Sequence, residues 1–184
     1  MADLTEKTVN STEIYKGKII DVFCDDISLP DGKPGKREYI KHVGAACVVP
    51  VTDKGEVVIV KQFRYPFGSV LTEIPAGKLD GKGEDPLKAA IRELKEETGA
   101  KAEEMIYMGQ YYPTCAYSDE VIHMYLAKGL TYGDTHFDDD EFIEFEKIPL
   151  KDLVSDIMNG KIKDGKTQTA VLKAYMILNG TEML

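Results

Sequence analysis

Three glutamates, Glu93, Glu96 and Glu97, lie close together near the C-terminal end of one predicted helix, where carboxylates are unfavourable. The helix dipole places partial negative charge at that end, and like charges four residues apart cost roughly 0.2–0.5 kcal/mol. Carboxylate oxygens are hard ligands that suit magnesium or manganese. A bound cation would offset both costs, so the cluster predicts a metal site. The alternative is a solvated acidic helix face.

The helix that positions these glutamates is predicted from signals at its two ends. Asp85 can cap the first turn, and Pro86 fits the first helical position. Gly99 provides the stop. The pattern therefore predicts one helix between Asp85 and Gly99.

Helical periodicity predicts which face of this helix is buried. An apolar stripe is expected along Leu87, Ile91 and Leu94, with Ala90 on its flank. Glu93 and Glu97 then fall beside the stripe, and Glu96 falls on the more exposed side. One edge of a packed helix would therefore present the carboxylates together.

The segment from Glu84 to Ala100, EDPLKAAIRELKEETGA, resembles the signature of the Nudix hydrolases. That pattern is Gly, five residues, Glu, seven residues, Arg-Glu, an aliphatic residue, any residue, Glu-Glu, any residue and Gly. The match is complete in spacing from Glu84 onward. Upstream, six residues separate Gly77 from Glu84, which we interpret as a one-residue insertion within Gly81–Gly83.

The resemblance implies a divalent metal, Mg²⁺ with Mn²⁺ as a possible substitute, and assigns it ligands. Glu93 and Glu97 would be the principal ligands, and Glu96 would share a metal or a water. The backbone carbonyl of Ala76 would add another ligand. Arg92 would form a salt bridge to Glu84 that fixes the loop against the helix; an ordinary surface arginine is the alternative.

An acidic run, Asp138–Glu141, precedes a predicted strand. Its composition alone indicates a solvated loop. The ADP-ribose pyrophosphatase branch of the family, however, draws a carboxylate from this loop. By that resemblance Glu141 is the expected general base, with Asp140 as the next candidate, because a base on a loop could close over the substrate.

A second segment of the branch is matched by KQFRYPFGSVLTEIPAGKLD, Lys61–Asp80. It resembles Gln-[Tyr/Phe]-Arg followed by Glu-[Leu/Ile]-Pro-Ala-Gly-Lys. Arg64 is then expected to bind a phosphate as a bidentate fork, with a strand-end salt bridge as the alternative. Glu73 is expected to hold a ribose hydroxyl or a metal-bound water.

A third segment, YYPTCAYSDE, resembles the branch's Tyr-Pro-Ser-Pro-Gly-Phe-Ser-Asp-Glu. Tyr112 and its neighbours Tyr111 and Tyr117 could stack on a base or a ribose, or simply pack. Cys115 and Ala116 stand where the branch has Pro-Gly.

Together the three segments predict metal-dependent hydrolysis of a nucleoside diphosphate derivative. ADP-ribose, giving AMP and ribose 5-phosphate, is the leading expected substrate. Another nucleotide sugar such as GDP-mannose is an alternative because of Cys115 and Ala116. A Nudix sensor that binds ADP-ribose without cleaving it is a third possibility, although every acidic position of the signature is filled.

Strands and helices that mix without strict alternation predict an α+β fold. The resemblance implies a Nudix-type mixed β-sheet sandwiched between helices, with a small N-terminal antiparallel β layer. Residues 1–43 form that layer, which resembles the dimer-forming layer of the branch and implies a homodimer. By the resemblance, residues 44–184 are expected to form the Nudix domain. Within it, AACVVPV and EVVIVKQF are expected to pair as a hairpin, and helices are expected near residues 150–158 and 167–178.

Composition excludes several kinds of partner. A formal charge of −9 argues against nucleic acid, which requires a basic footprint. The sequence contains no apolar stretch of about 18 residues, so no membrane span is expected. The polar N-terminus lacks the apolar core of a signal peptide, and the three cysteines show no disulfide or metal spacing, so a cytoplasmic location is expected.

Overall fold

The structure is a computed structural model, and it describes residues 3–81, 83–133 and 143–180. The strands are β1 Lys7–Lys16, β2 Asp21–Ser28, β3 Pro34–Lys41, β4 Ala45–Pro50, β5 Glu56–Arg64, β6 Ser69–Glu73, β7 Ala76–Lys78, β8 Ala100–Tyr111, β9 Ile122–Tyr132 and β10 Ile143–Pro149. The helices are α1 Pro86–Thr98, α2 Leu150–Met158 and α3 Gly165–Asn179. This architecture confirms the predicted α+β fold class.

The central sheet has the order β7-β4-β9-β8, with β4 and β9 parallel and the other pairs antiparallel. Both faces of β4 are buried, because its residues alternate between two cores. Cys47 and Val49 pack in the core beneath α2 and α3, whereas Ala46 and Val48 pack in the core beneath α1. The sheet is therefore sandwiched between helices, as predicted.

A second sheet has the order β10-β5-β6 and is antiparallel. The predicted hairpin between β4 and β5 is wrong beyond its turn. The turn is present, because Thr52 and Glu56 share hydrogen bonds and Val51 forms an isolated bridge with Val57. The two strands then diverge into different sheets, since both edges of β4 are already paired, with β7 and β9.

Helix α1 confirms the predicted ends. The Asp85 side chain accepts a hydrogen bond from the Leu87 amide at 2.9 Å, and Gly99 ends the helix with a φ of 66°. Such a positive φ favours glycine.

The predicted apolar stripe of α1 is wrong in part. Leu87 and Ile91 are 36% and 47% exposed, whereas the buried face consists of Ala89, Ala90, Leu94, Glu97 and Thr98. The two alanines contact the sheet core, and small side chains allow a helix backbone to approach closely. The face that α1 buries is therefore rotated toward the glutamates.

The N-terminal residues form a separate three-stranded antiparallel sheet with the order β1-β2-β3. Strands β2 and β3 agree with the predicted layer, but β1 was not predicted. All ten residues of β1 are exposed, so no buried face imposes an apolar alternation on its sequence.

Helices α2 and α3 pack against each other and close the core on the side opposite α1. Helix α2 has the predicted bounds, and α3 begins two residues earlier than expected, at Gly165. No helix within the described ranges is long and apolar enough to cross a membrane.

Candidate active site

A cavity of about 530 Å³ lies where β5, β6 and β7 meet the N-terminus of α3. Its wall carries three cationic and three acidic side chains: Arg64, Lys78, Lys166, Glu73, Glu120 and Asp164. We call residues 74–77, which lead from the end of β6 into the first two residues of β7, the β6–β7 turn. Ala76 and Gly77 of this turn also belong to the wall. A larger cavity, of about 650 Å³ beside α2, contains none of the predicted site residues. A third cavity, of about 520 Å³, lies on the outer side of α1 at Arg92 and Glu96. We take the 530 Å³ cavity as the candidate site, because its wall holds the predicted residues Arg64, Glu73 and Ala76.

The Glu93 carboxylate lies directly against the backbone of Gly77. A Cβ atom built on Gly77 would lie 1.9 Å from the Glu93 Cδ atom, so the Glu93 carboxylate occupies the space that a side chain at position 77 would need. Gly77 pairs with Ala46 in the central sheet, which fixes the position of the turn. The structure thus brings together the signature helix and the turn that the sequence analysis linked.

Glu97 contacts the same turn one residue earlier. Its Oε2 atom accepts a hydrogen bond from the Ala76 amide at 3.3 Å, and the residue is only 4% exposed. Glu93 and Glu97 therefore contact consecutive residues of the turn from α1. The cavity wall contains the turn itself but not these two glutamates.

The Arg92 guanidinium lies between the carboxylates of Glu84, Glu93 and Glu96. Its Nη1 atom lies 2.6 Å from Glu93 Oε1 and 3.2 Å from Glu96 Oε2. Its Nη2 atom donates to the Lys78 carbonyl at 3.1 Å and lies 3.7 Å from Glu84 Oε2. Burial alone would lower the pKa of Arg92, but the carboxylates of Glu93, Asp80 and Glu96 outweigh burial and raise it. The predicted contact between Arg92 and Glu84 is present within a wider cluster.

The donor set fits a divalent cation by its chemistry. Carboxylate and carbonyl oxygens are the ligands that Mg²⁺ and Mn²⁺ prefer, and the glycine at position 77 leaves room for a carboxylate against the backbone. Within residues 3–81, 83–133 and 143–180, however, no three acidic, histidine or cysteine side chains converge on one point. Arg92 instead neutralises two of the three glutamates.

A network of four charged side chains lines the cavity next to this turn. Arg64 donates from Nε and Nη2 to the two oxygens of Glu73, both at 2.7 Å. Lys166 donates to Glu73 Oε2 and, at 3.0 Å, to Asp164 Oδ2. Burial alone would raise the pKa of Glu73, but Arg64 and Lys166 outweigh burial and lower it to about 2. Glu73 is thus a carboxylate with cations on two sides.

Sequence reasoning missed two members of this network, Asp164 and Lys166, because it placed them in a loop before α3. A local signal was available: Asp164 precedes Thr167 by three residues, which is N-cap spacing. In the structure Asp164 Oδ2 accepts from the Thr167 amide at 2.9 Å. The hydroxyl of Thr167 in turn accepts from the Ile74 amide at 2.9 Å, which ties α3 to the β6–β7 turn.

The other predicted site residues have different outcomes. Tyr112 is 53% exposed and bonds to Gln110, while its neighbour Tyr111 belongs to the cavity wall. Cys115 is exposed near the same loop. Glu141 and Asp140 lie outside the described residues.

Two family models match the chain. The NUDIX domain matches residues 41–169, and the nucleoside diphosphate sugar hydrolase N-terminal domain matches residues 6–40. Together they cover both the N-terminal sheet and the sandwich.

Individual relatives and a solved structure agree with these matches. An ADP-ribose pyrophosphatase of Bacillus subtilis (strain 168) is 41% identical over 173 residues, which cover 93% of each chain. A methanol dehydrogenase activator of Bacillus methanolicus is 39% identical over 168 residues, or 90% of each chain. A crystal structure of an ADP compounds hydrolase superimposes with a TM-score of 0.83 at 19% identity over 97% of both chains, which supports the fold.

Proposed function

The chain belongs to the Nudix hydrolase family, and we propose that it hydrolyses the diphosphate bond of ADP-ribose to AMP and ribose 5-phosphate with Mg²⁺. One observation carries the proposal: Glu93 and Glu97 of the signature helix contact Gly77 and Ala76 at the wall of a charged cavity. The similarity to an ADP-ribose pyrophosphatase over 93% of the chain supports the choice of substrate.

We propose that Glu93, Glu97 and the Ala76 carbonyl hold the Mg²⁺, with Glu96 as a further ligand and Mn²⁺ as a possible substitute. Nudix hydrolases generally use divalent metal ions. A bound divalent cation neutralises phosphate charge and lowers the pKa of water. The Glu97 contact to the Ala76 amide and the Glu93 contact to Gly77 hold the helix and the turn in register. Arg92 holds Glu93 and Glu96 on the same helix edge.

The cationic groups of the cavity suit the substrate's diphosphate. Arg64 carries a planar fork that matches phosphate oxygens, and its side chain is 38% exposed at the cavity wall. Tyr111 and Phe67 also belong to the wall and offer ring surfaces for a base or a ribose. This combination of a charged end and aromatic surfaces supports a nucleoside diphosphate derivative as the ligand.

The second candidate function is hydrolysis of a nucleotide sugar such as GDP-mannose. The observation that favours it is the exposed Cys115, followed by Ala116, in the loop where the ADP-ribose branch has Pro-Gly. The match of residues 6–40 to a nucleoside diphosphate sugar hydrolase domain is compatible with both substrates.

The substrate is tested by steady-state kinetics with Mg²⁺ on ADP-ribose and GDP-mannose side by side. We expect kcat/KM for ADP-ribose to exceed that for GDP-mannose by about tenfold or more, equal to about 1.4 kcal/mol of transition-state stabilisation. The reverse order would replace ADP-ribose by a nucleotide sugar. Binding of ADP-ribose without product would favour the sensor.

We propose that the N-terminal sheet mediates a homodimer. Strand β1 is an edge strand, and its Val9, Ile14 and Tyr15 side chains are 71%, 62% and 58% exposed. An exposed edge strand with apolar side chains is a template for pairing with another chain. Sedimentation velocity at micromolar concentration is expected to give the mass of two chains, and a monomer mass would contradict this proposal.

A further inference from the structure

The N-terminus of α3 reaches the same carboxylate that holds Arg64. Lys166 is 8% exposed, and its amino group contacts Glu73 from one side while Arg64 contacts it from the other. In the sequence, Lys166 is 93 positions from Glu73, whereas Arg64 is only nine positions from it. The predicted site did not include any residue of α3.

These partners occupy most of the hydrogen-bond acceptor positions of the Glu73 carboxylate. Arg64 Nε binds Oε1, while Arg64 Nη2 and Lys166 Nζ both bind Oε2. A carboxylate has about four lone-pair positions, so about one remains. Glu73 is therefore better suited to orienting Arg64 than to holding a ribose hydroxyl.

Arg64 keeps donors for a ligand despite this pairing. A guanidinium has about five N–H groups, and Glu73 receives two hydrogen bonds from it. The others make no hydrogen bond to any residue that the structure describes, and Arg64 lines the cavity. The bidentate pairing also fixes the plane of the guanidinium, which reduces the entropy lost when an anion binds.

The charges in this network cancel. Arg64 and Lys166 supply two positive charges, and Glu73 and Asp164 supply two negative charges. Without Lys166 the sum would be −1, which would repel a phosphate at this wall. Burial alone would lower the pKa of Lys166, but Asp164 and Glu73 outweigh burial and raise it, so the lysine remains charged.

We propose that Lys166 is a positioning residue, which anchors Glu73 and balances its charge so that Arg64 presents its remaining N–H groups to a phosphate in the cavity. Lys166 acts through Glu73 and Arg64 rather than on the reacting atoms. The inference deepens the proposed function and rests on it for the identity of the substrate. Its phosphate-binding part can be tested without turnover.

The test is calorimetric titration of inorganic pyrophosphate into the protein in EDTA, with wild type, Lys166→Met and Asp164→Asn compared. Lys166→Met keeps the approximate length of the side chain but leaves the network of Arg64, Glu73 and Asp164 with a net charge of −1. We expect its affinity for pyrophosphate to fall about tenfold, because the network then repels the anion and Glu73 loses the contact that anchors it beside Arg64. Lys161→Met is the matched control, since Lys161 is 67% exposed and pairs with Asp156 away from the cavity wall.

Asp164→Asn separates charge balance from structural damage. Asparagine caps a helix as well as aspartate does, but the network then carries +1. We expect pyrophosphate affinity equal to or tighter than that of wild type. In ADP-ribose kinetics, Lys166→Met is expected to raise KM by about tenfold and change kcat by less than about threefold.

The outcomes distinguish the inference from the proposed function. Pyrophosphate affinity of Lys166→Met within about twofold of wild type, or equal weakening in Asp164→Asn, would overturn the inference. Failure of wild type to bind pyrophosphate would overturn it as well. If pyrophosphate binding follows the expected pattern while ADP-ribose is not cleaved, the inference stands and the proposed function fails.

Discussion

Glu97→Gln is expected to lower kcat/KM on ADP-ribose by about a thousandfold, while the protein stays folded. The substitution removes the negative charge from a proposed metal ligand, and charge stabilisation by a bound metal is worth several kcal/mol at about 1.4 kcal/mol per factor of ten. Glutamine keeps a side-chain oxygen that can accept from the Ala76 amide, which Glu97 does at 3.3 Å. The measurement is steady-state kinetics with Mg²⁺, together with a thermal melt.

The matched control for this variant is Glu104→Gln. Glu104 is 56% exposed and pairs with Lys128 on the surface, so its replacement tests the same chemical change away from α1. The control is expected to retain wild-type activity. A folded Glu97→Gln protein as active as this control would refute the role given to Glu97.

Gly77→Ala is the second change with a large expected effect. Its Cβ would lie 1.9 Å from both Cδ and Oε1 of Glu93. Such a distance forces the carboxylate or the turn to move, and a displacement of about 1 Å at a reacting site can cost about a hundredfold in rate. We therefore expect kcat/KM to fall by about that factor, measured in the same assay.

Gly81→Ala is the control for Gly77→Ala, because it places the same methyl group nearby, in the segment between β7 and α1. Among the residues that the structure describes, and leaving out its chain neighbours, a Cβ on Gly81 would have no heavy atom within 4 Å. Its activity and melting temperature are expected to match those of wild type. Equal activity of the two alanine variants would show that catalysis does not need the Glu93 carboxylate in its place against Gly77.

The sequence predicted those parts of the fold that depend on local chemistry. Asp85, Pro86 and Gly99 define both ends of α1, and each acts through its own backbone or through a neighbour two to four residues away. The α1 glutamates and the β6–β7 turn were recognisable because their types and spacing form a motif. These features need no knowledge of the remaining chain.

The parts that failed depend on tertiary context. Strand β1 is exposed along its whole length, so no apolar period marks it. The pairing of β4 with β9 rather than β5 depends on partners more than 70 residues away. Lys166 joins Glu73 across 93 positions, and no local pattern links a helix N-terminus to a distant strand end.

The structure also changes the explanation of the glutamates at the end of α1. The sequence alone indicated that a bound cation compensates their charge. Arg92 already pairs with Glu93 and Glu96, while Glu97 accepts from the Ala76 amide. The helix can therefore fold with its carboxylates compensated by the protein.

The most direct test of the central claim, that α1 and the Ala76–Gly77 turn form the metal site, is calorimetric titration of Mg²⁺ into wild type and Glu97→Gln. Losing one charged ligand is expected to weaken Mg²⁺ binding by about tenfold or more. Thermal melts verify that both proteins are folded during the titration. Weakened Mg²⁺ binding in folded Glu97→Gln is the predicted result, and Mg²⁺ binding equal to that of wild type would contradict the account.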